Sequence, residues 1–187
     1  KTQENFSFTF YNLFSASTSY SYLFIGDESN SWYTNEIKGV NSNNIDDLFS
    51  FIQSKADFFK KVVLFGLPGA YTSVCSAKHL PGYVNLHDKY KEKGVDHIIC
   101  ISVNDPFVMS AWGKDNNVGD KIIMMGDPFL KFTKDIGADV DKSGRGLGIR
   151  SNRYTMYVDD MKVIKLQEEK DTGSCEISAA ENFLNLV

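Results

Sequence analysis

Residues 61–79 read KVVLFGLPGAYTSVCSAKH, and this segment decides the fold class. The apolar run Lys61–Gly66 lies between a charged residue and a glycine, which predicts a short strand buried on both faces. A tight loop with a proline and a glycine follows. A helix is then predicted from Val74 to Lys93, with a kink at Pro81 because proline removes a hydrogen-bond donor. The segment is therefore a strand–loop–helix unit of an α/β domain.

The alternation of strands and helices continues along the chain. Asp46–Ala56 is predicted as a short amphipathic helix, and Ser178-Ala-Ala-Glu181 is predicted to cap the last helix. The remaining predicted elements are a strand at His97–Val103, a helix at Asp105–Lys114, a strand at Ile122–Met125, a helix at Pro128–Ile136, a hairpin of Tyr154–Val158 and Lys162–Leu166, and a helix at Ala179–Leu186. This order predicts a mixed central sheet with helices on both faces, and a thioredoxin-like fold fits it among several α/β folds.

The composition favours one compact domain preceded by a peripheral extension. Residues 1–45 are aromatic and rich in Ser and Asn, with candidate strands at Tyr20–Ile25 and Trp32–Ile37, and the domain is predicted at 46–187. The formal net charge of −4 predicts no attraction to nucleic acid or to an anionic membrane. No apolar stretch is long enough to predict a membrane span. Three cysteines do not form a disulfide framework, which indicates a reducing compartment or cysteines used in chemistry.

Cys75 is the candidate nucleophile. It falls in the first helical turn at the carboxyl edge of the predicted sheet, where free backbone N–H groups and the helix dipole favour a thiolate. Thr72 lies three residues earlier, so its hydroxyl can turn toward the sulfur, and the rigid ring of Pro68 can shield the sulfur from water. Most single cysteines are small buried hydrophobic residues, and this is the alternative interpretation. The combination of all three residues favours the reactive thiol.

These residues carry a resemblance to a known family. The pattern Pro68-x-x-x-Thr72-x-x-Cys75 resembles the active-site motif of the peroxiredoxins, and LPGAYTSVCSAKHLPGY at 67–83 is similar to the type II, or fifth, subfamily. The resemblance covers roughly residues 46–187. It continues through CISVNDPFVMSAW at 100–112, GLGIRSNRY at 146–154 and VDDMKV at 158–163.

The resemblance implies a peroxidase that reduces hydrogen peroxide and organic hydroperoxides without a metal, flavin or haem cofactor. Cys75 would attack the peroxide and become a sulfenic acid. Thr72 and the backbone N–H of Cys75 would hydrogen-bond the peroxide, and Arg153 would stabilise the thiolate and the developing negative charge. Arg145 and Arg150 are neighbouring alternatives to Arg153, which is preferred because of its SNRY context.

The sequence also departs from the family motif. Tyr71, Ser73 and Val74 stand where the family usually has Phe, Pro and Thr. Tyr71 is predicted to add a hydroxyl near the pocket mouth, and Val74 removes one beside the nucleophile. These changes leave the catalytic groups in place, so we expect them to bear on substrate preference.

Two further cysteines are candidates for resolving the sulfenic acid. Cys175 lies in a polar loop and resembles the resolving cysteine of animal members, whereas Cys100 lies on a predicted buried strand and matches the second cysteine of plant members. Exposure favours Cys175, and a packing role is favoured for Cys100. If neither serves, the resemblance implies reduction by glutathione with glutaredoxin or by thioredoxin. Cys75 and His79 have i, i+4 spacing but no further ligand, so no metal site is predicted.

The resemblance also bears on assembly and on competing functions. The resemblance implies a homodimer contact near Asp105–Val108, although a capped helix with a core face explains these residues at least as well. The compartment is expected to be cytoplasmic or mitochondrial. A peroxide sensor that passes oxidation to a protein partner is an alternative function with the same reactive cysteine. A non-catalytic thioredoxin-like binding module is a third, but it would have no use for the combination of Pro68, Thr72, Cys75 and Arg153.

Overall fold

A computed structural model describes residues 61–160 and 162–187. The predictions for residues 1–60, namely the extension at 1–45 with its two candidate strands and the helix at Asp46–Ala56, lie outside these ranges. The division of the chain at residue 45 therefore stays a prediction.

The described residues form seven strands in two sheets. The strands are β1 at Lys61–Leu67, β2 at His97–Ser102, β3 at Ile123–Gly126, β4 at Asp139–Asp141, β5 at Ile149–Ser151, β6 at Tyr154–Asp159 and β7 at Lys162–Glu168. The central sheet has the order β3-β2-β1-β6-β7. Strands β1, β2 and β3 are parallel, whereas β6 pairs antiparallel with β1 and with β7. Strands β4 and β5 pair antiparallel in a separate small sheet, which the sequence did not predict.

The helices lie between the strands or after the last one, and they cover both faces of the central sheet. They are α1 at Leu80–Glu92, α2 at Pro106–Asp115, α3 at Lys131–Asp135 and α4 at Ala180–Phe183, with a π-helical turn at Cys75–His79 and 3₁₀ turns at Ser143–Arg145 and Leu184–Leu186. The predicted mixed sheet and thioredoxin-like fold are confirmed. No helix in the described ranges is long and apolar enough to cross a membrane.

Strand β1 shows why both faces of the sheet are covered. Its side chains alternate between the two faces, as the strand period requires. Val63, Phe65 and Leu67 pack in one buried cluster with side chains of α1, α2 and α4. Val62 and Leu64 pack in a second cluster with side chains of α3. The central position of β1 places its carboxyl end, and the loop that follows, at the middle of one edge of the central sheet.

The helix after β1 is irregular at its start. Cys75–His79 form a π-helical turn in which the N–H of Leu80 donates to the carbonyl of Cys75. Pro81 follows near the start of α1, which continues the helix that begins at Ser73, so this proline cannot supply an N–H to the carbonyl of Ala77. The irregularity predicted at Pro81 therefore precedes it, at the candidate nucleophile. Single π-helical turns occur frequently at functional sites.

Two predictions about helix termini are wrong. Ser178 does not cap α4, because its hydroxyl donates to Glu169 Oε1 at 2.8 Å and the N-cap position is Ala179, which makes no side-chain bond. The predicted helix at Pro128–Ile136 is shortened to α3, because Leu130 takes a left-handed conformation with φ 59°. In both places a buried carboxylate accepts hydrogen bonds from backbone N–H groups. Glu169 accepts from Glu176 and Ser178, and Asp127 accepts from Phe132 and Thr133.

Candidate active site

Cys75 lies where the loop after β1 enters the helix. Its side chain is fully buried, and the helix begins two residues earlier, at Ser73, so the sulfur lies in the first turn as predicted. The loop is closed by two hydrogen bonds, from Thr72 N to Gly69 O at 3.4 Å and from Ser76 N to Thr72 O at 3.0 Å. Unpaired N–H groups of a first helical turn favour a negative charge. The local backbone therefore suits a thiolate at Cys75.

A guanidinium group lies directly on this sulfur. Arg153 is 1% exposed and its Nη2 lies 3.5 Å from Cys75 Sγ. Arg150 donates instead to the carbonyl oxygens of Val103 at 3.0 Å and Leu147 at 2.7 Å. Arg145, the other alternative, is exposed. The structure thus brings Arg153, of the three arginines, to the candidate nucleophile.

Thr72 and Pro68 lie in the loop that leads from β1 to Cys75. The hydroxyl of Thr72 donates to Gly69 O at 2.8 Å, so its oxygen keeps lone pairs that can accept a hydrogen bond. Pro68 is buried, and its carbonyl accepts a long bond of 3.5 Å from Arg150 Nη1. Asn104 Oδ1 accepts from the N–H of Ala70 at 3.0 Å and so fixes the loop from the end of β2.

Tyr71 is the departure with a visible structural effect. It takes a left-handed conformation with φ 61°, and its side chain is 54% exposed. Its hydroxyl donates to Asp115 Oδ2 at 2.7 Å, and this hydrogen bond raises the pKa of Tyr71. The hydroxyl that the sequence adds beside the pocket thus ties the loop to the end of α2. Ser73 is exposed and Val74 half-buried.

His79 belongs to the site, although the sequence analysis considered it only as a metal ligand. Its ring is fully buried, with Nδ1 3.0 Å from Arg153 Nη1 and Nε2 3.2 Å from Ser178 O. A guanidinium only donates hydrogen bonds, so Nδ1 accepts and Nε2 carries the proton that it donates to Ser178. Burial, and then the charge of Arg153, lower the pKa of His79 to about 3. The ring is therefore neutral at physiological pH.

The burial of His79 predicts a pH dependence of stability. The unfolded chain takes up a proton at this histidine near pH 6.5, whereas the folded chain does so only at about 3. Stability is therefore complete above pH 6.5 and is lost as the pH falls, by about 1.4 kcal/mol per unit. Between pH 6.5 and 5 we expect the free energy of unfolding to fall by roughly 2 kcal/mol, measured by urea titration at each pH. His79→Asn removes this contribution, so an equal slope in both proteins would contradict the prediction.

A C-terminal segment, residues 169–178, is hydrogen-bonded to Arg153 and His79. Arg153 Nη2 donates to Thr172 O at 2.9 Å as well as to the sulfur. Ser178 O accepts not only from His79 but also from Tyr83 Oη and Thr155 Oγ1, both at 2.9 Å. The active-site arginine and histidine are therefore held by carbonyl oxygens of this segment.

The other two cysteines are buried. Cys100 is fully buried on β2, as predicted, and faces the same cluster as Cys75. Cys175 was predicted to be exposed, and this is wrong, since it is 3% exposed. The segment around it is drawn inward because Glu169 Oε1 accepts from the N–H groups of Glu176 and Ser178.

All three thiols are free. Burial raises the pKa of Cys175, although the nearby charge of Arg153 opposes this effect. Burial also raises the pKa of Cys100 well above its ordinary value, with a smaller electrostatic contribution from the neighbouring Cys75. Neither thiol is thus primed as a thiolate in this structure.

Within the described part of the chain, no group of three or more His, Cys, Asp or Glu side chains could hold a metal ion. Both nitrogens of His79 are already used by Arg153 and Ser178. The i, i+4 pair of Cys75 and His79 is therefore explained without a metal.

Comparisons with known proteins show the family of the chain. The Redoxin family model matches residues 52–184. Peroxiredoxin-2F, mitochondrial, of Arabidopsis thaliana is 45% identical over 134 residues, which are 71% of this chain and 67% of that protein. Peroxiredoxin-2B of the same plant is 44% identical over 125 residues, or 67% of this chain and 76% of that protein.

Solved structures give the same result. The crystal structure of reduced Prx3 in complex with H₂O₂ from Vibrio vulnificus is 46% identical, with a TM-score of 0.66 over 71% of this chain and 83% of that chain. Peroxiredoxin 5 from Alvinella pompejana is 38% identical, with a TM-score of 0.61 over 70% of this chain and 82% of that chain. The chain therefore belongs to the redoxin family, among its type II peroxiredoxins, and is a thiol-dependent peroxidase.

Proposed function

We propose that Cys75 reduces hydrogen peroxide and organic hydroperoxides by way of a sulfenic acid. The observation that carries this proposal is the contact of 3.5 Å between Arg153 Nη2 and the buried Cys75 Sγ. A guanidinium next to a sulfur in a first helical turn favours the thiolate, which is the nucleophilic form. The H₂O₂ complex named for the Vibrio relative supports the choice of substrate.

The chemistry needs one two-electron step. The thiolate of Cys75 attacks one peroxide oxygen, so that a sulfur–oxygen bond forms while the oxygen–oxygen bond breaks. The sulfur is oxidised to a sulfenic acid, and the departing hydroxide or alkoxide takes up a proton to give water or an alcohol. Arg153 and the backbone N–H of Cys75 stabilise the negative charge that moves from sulfur to oxygen. Pro68 limits access of water to the sulfur.

Thr72 serves as a hydrogen-bond acceptor for the incoming peroxide. Because its own proton is given to Gly69 O, its oxygen can accept from the hydroxyl of a hydroperoxide. Such a bond orients the peroxide so that the oxygen–oxygen bond points away from the sulfur, as an in-line displacement requires.

Thr72→Val is expected to lower kcat/KM for hydrogen peroxide by roughly 10²-fold, because the bond forms mainly in the transition state. The measurement is the rate of peroxide loss with an excess of reducing thiol. Thr72→Ser keeps the acceptor and is the matched control, expected within about tenfold of the parent. A valine variant within about twofold of the parent would remove this role from Thr72.

Recycling by an external thiol fits the structure better than an internal disulfide. Cys175 and Cys100 are buried, and a disulfide from Cys75 to Cys175 would require residues 169–178 to leave their contacts with Arg153 and His79. A thiol that attacks the sulfenic acid of Cys75 releases water and forms a mixed disulfide, which a second thiol then reduces. Glutathione with glutaredoxin, or thioredoxin, is the proposed reductant.

Intact mass and peptide mapping after one equivalent of hydrogen peroxide test both the peroxidase chemistry of Cys75 and its recycling by an external thiol. We expect a gain of one oxygen on Cys75 in one sample, a dimedone adduct on Cys75 in a second sample oxidised with dimedone present, and in a third, untrapped sample the replacement of the added oxygen by glutathione. A Cys75–Cys175 or Cys75–Cys100 link would instead assign an internal resolving cysteine and overturn the external-thiol cycle. Absence of any change at Cys75 would overturn the peroxidase chemistry itself.

Assembly and compartment are further parts of the proposal. A homodimer contact near Asp105–Val108 is supported by Phe107, whose side chain is 68% exposed. A cytoplasmic or mitochondrial compartment is supported by the name of the Arabidopsis relative Peroxiredoxin-2F, mitochondrial.

A further inference from the structure

The loop that carries Thr72 contains a turn with an unusual third residue. The N–H of Thr72 donates to the carbonyl of Gly69, so residues 69–72 form a four-residue turn in which Tyr71 is third. Tyr71 has φ 61°, as the third residue of a type II turn does, and this position normally takes glycine or asparagine. A tyrosine is unfavourable there because its Cβ crowds the backbone. Backbone strain of this kind is typical of functional sites and persists where surrounding groups hold it in place.

Side-chain hydrogen bonds hold this turn. The backbone bond that closes it is 3.4 Å long, near the limit for a hydrogen bond, and so contributes little. The N–H of Ala70 donates to Asn104 Oδ1 at 3.0 Å, and Tyr71 Oη donates to Asp115 Oδ2 at 2.7 Å. Asn104 precedes α2 and Asp115 is the last residue of α2. The turn is therefore held from both ends of this helix.

The position of Asp115 supports a role in this contact. A carboxylate at the last residue of α2 lies at the negative end of the helix dipole, which disfavours it. The stability of α2 therefore does not explain Asp115. Its bond with Tyr71 is short, as expected for a charge-assisted bond between a hydroxyl and a carboxylate. This bond raises the pKa of Tyr71, so the hydroxyl keeps its proton at neutral pH and acts as the donor.

We propose that Tyr71 is a positioning residue, whose bond to Asp115 holds the turn and thereby places the hydroxyl oxygen of Thr72 for the incoming peroxide. Thr72 Oγ1 donates across the turn to Gly69 O at 2.8 Å, so a change in the turn moves the oxygen that accepts from the peroxide. The hydroxyl of Tyr71 is already used by Asp115, so Tyr71 acts through Thr72. This inference rests on the proposed function, which assigns the peroxide contact to Thr72.

Removal of either partner tests the bond. Tyr71→Phe keeps the ring and loses the hydroxyl, whereas Asp115→Ala loses the acceptor. Each is expected to lower kcat/KM for hydrogen peroxide about fivefold, because Thr72 is then correctly placed in a smaller fraction of the molecules. The double variant should also lose about fivefold, and not about twenty-five-fold, since both substitutions remove the same bond.

Two further variants separate the hydrogen bond from the loss of charge. Asp115→Asn keeps an oxygen that can accept from Tyr71, so it should restore kcat/KM to within about twofold of the parent. Asp135→Ala is the matched control, because it removes a carboxylate from the last residue of another helix, α3, where it lies 3.4 Å from Lys131. Its kcat/KM should stay within about twofold of the parent. Tyr71, Asp115 and Asp135 are exposed, so each Tm should stay within about 4 °C of the parent.

Two readouts distinguish positioning of Thr72 from a general loosening of the site. In a Thr72→Val protein, Tyr71→Phe should change kcat/KM by less than about 1.5-fold, because the oxygen that Tyr71 places is absent. Alkylation of Cys75 by iodoacetamide at pH 7 should stay within about twofold of the parent in Tyr71→Phe, because this reaction involves no peroxide and does not use Thr72. A general loosening of the site would slow the alkylation and would persist in the Thr72→Val protein.

Three outcomes would overturn the positioning role. One is a Tyr71→Phe protein as fast as the parent, and another is losses of Tyr71→Phe and Asp115→Ala that multiply in the double variant. The third is a loss of about fivefold from Tyr71→Phe that remains in the Thr72→Val protein.

The same assays keep this inference distinguishable from the proposed function. A parent protein that consumes no peroxide would overturn the proposed function, and the inference with it. A parent that consumes peroxide and a Thr72→Val protein that is strongly impaired, together with an unimpaired Tyr71→Phe protein, would overturn the positioning role alone.

Discussion

Cys75→Ser is expected to abolish peroxide consumption, by at least about 10³-fold, while the fold is retained. A serine hydroxyl does not ionise beside Arg153, and the site offers no general base to activate it, since Nδ1 of His79 is taken by the arginine. The measurement is the initial rate of hydrogen peroxide loss with an excess of thiol.

Circular dichroism and thermal unfolding provide the control for this variant. Serine differs from cysteine by one atom, so a fully buried Cys75 should be replaced without loss of secondary structure. Turnover near the parental rate in a folded Cys75→Ser protein would show that another group carries out the reaction.

Arg153→Gln is expected to lower kcat/KM for peroxide by roughly 10²- to 10³-fold, because the charge next to the sulfur is lost while hydrogen-bonding ability is retained. The Tm should fall as well, since Arg153 also binds Thr172 O and His79. The rates are therefore compared well below the unfolding transition.

Arg145→Gln is the matched control for this loss of charge. Arg145 is exposed, so its variant carries the same change in net charge without a change at the sulfur. We expect its kcat/KM within about twofold of the parent. Equal losses in both variants would mean that long-range electrostatics, and not the contact of 3.5 Å, supports the nucleophile.

The parts of the fold that depend on neighbouring residues could be predicted from the sequence. The apolar run of β1, the glycine and proline after it and the position of Cys75 in the first turn all follow from local rules, and the structure has them. The hairpin of β6 and β7 is likewise present, with a bulge between Tyr157 and Val158. Short strands such as β4, at Asp139–Asp141, were missed because three residues with two charges give no strand pattern.

The parts of the site that depend on distant contacts could not be predicted. The i, i+4 spacing of Cys75 and His79 suggests metal ligands, and only the fold shows that His79 binds an arginine 74 residues away. Cys175 lies in the polar stretch DTGSCEIS, which predicts exposure, yet a buried glutamate seven residues before Glu176 draws this segment inward. In both cases tertiary hydrogen bonds override the local pattern.

The hydrogen bonds between the C-terminal segment, residues 169–178, and the active site have a consequence for the synthesis of the chain. The bond between His79 and Ser178 joins residues 99 positions apart, and the contact between Arg153 and Cys75 joins residues 78 positions apart. Cys75 therefore leaves the ribosome before Arg153 and Ser178 have been translated. Because contacts of such large sequence separation form late, the thiol of Cys75 has no contact with the Arg153 guanidinium while the chain is still being synthesised. Activation of the nucleophile thus coincides with completion of the fold.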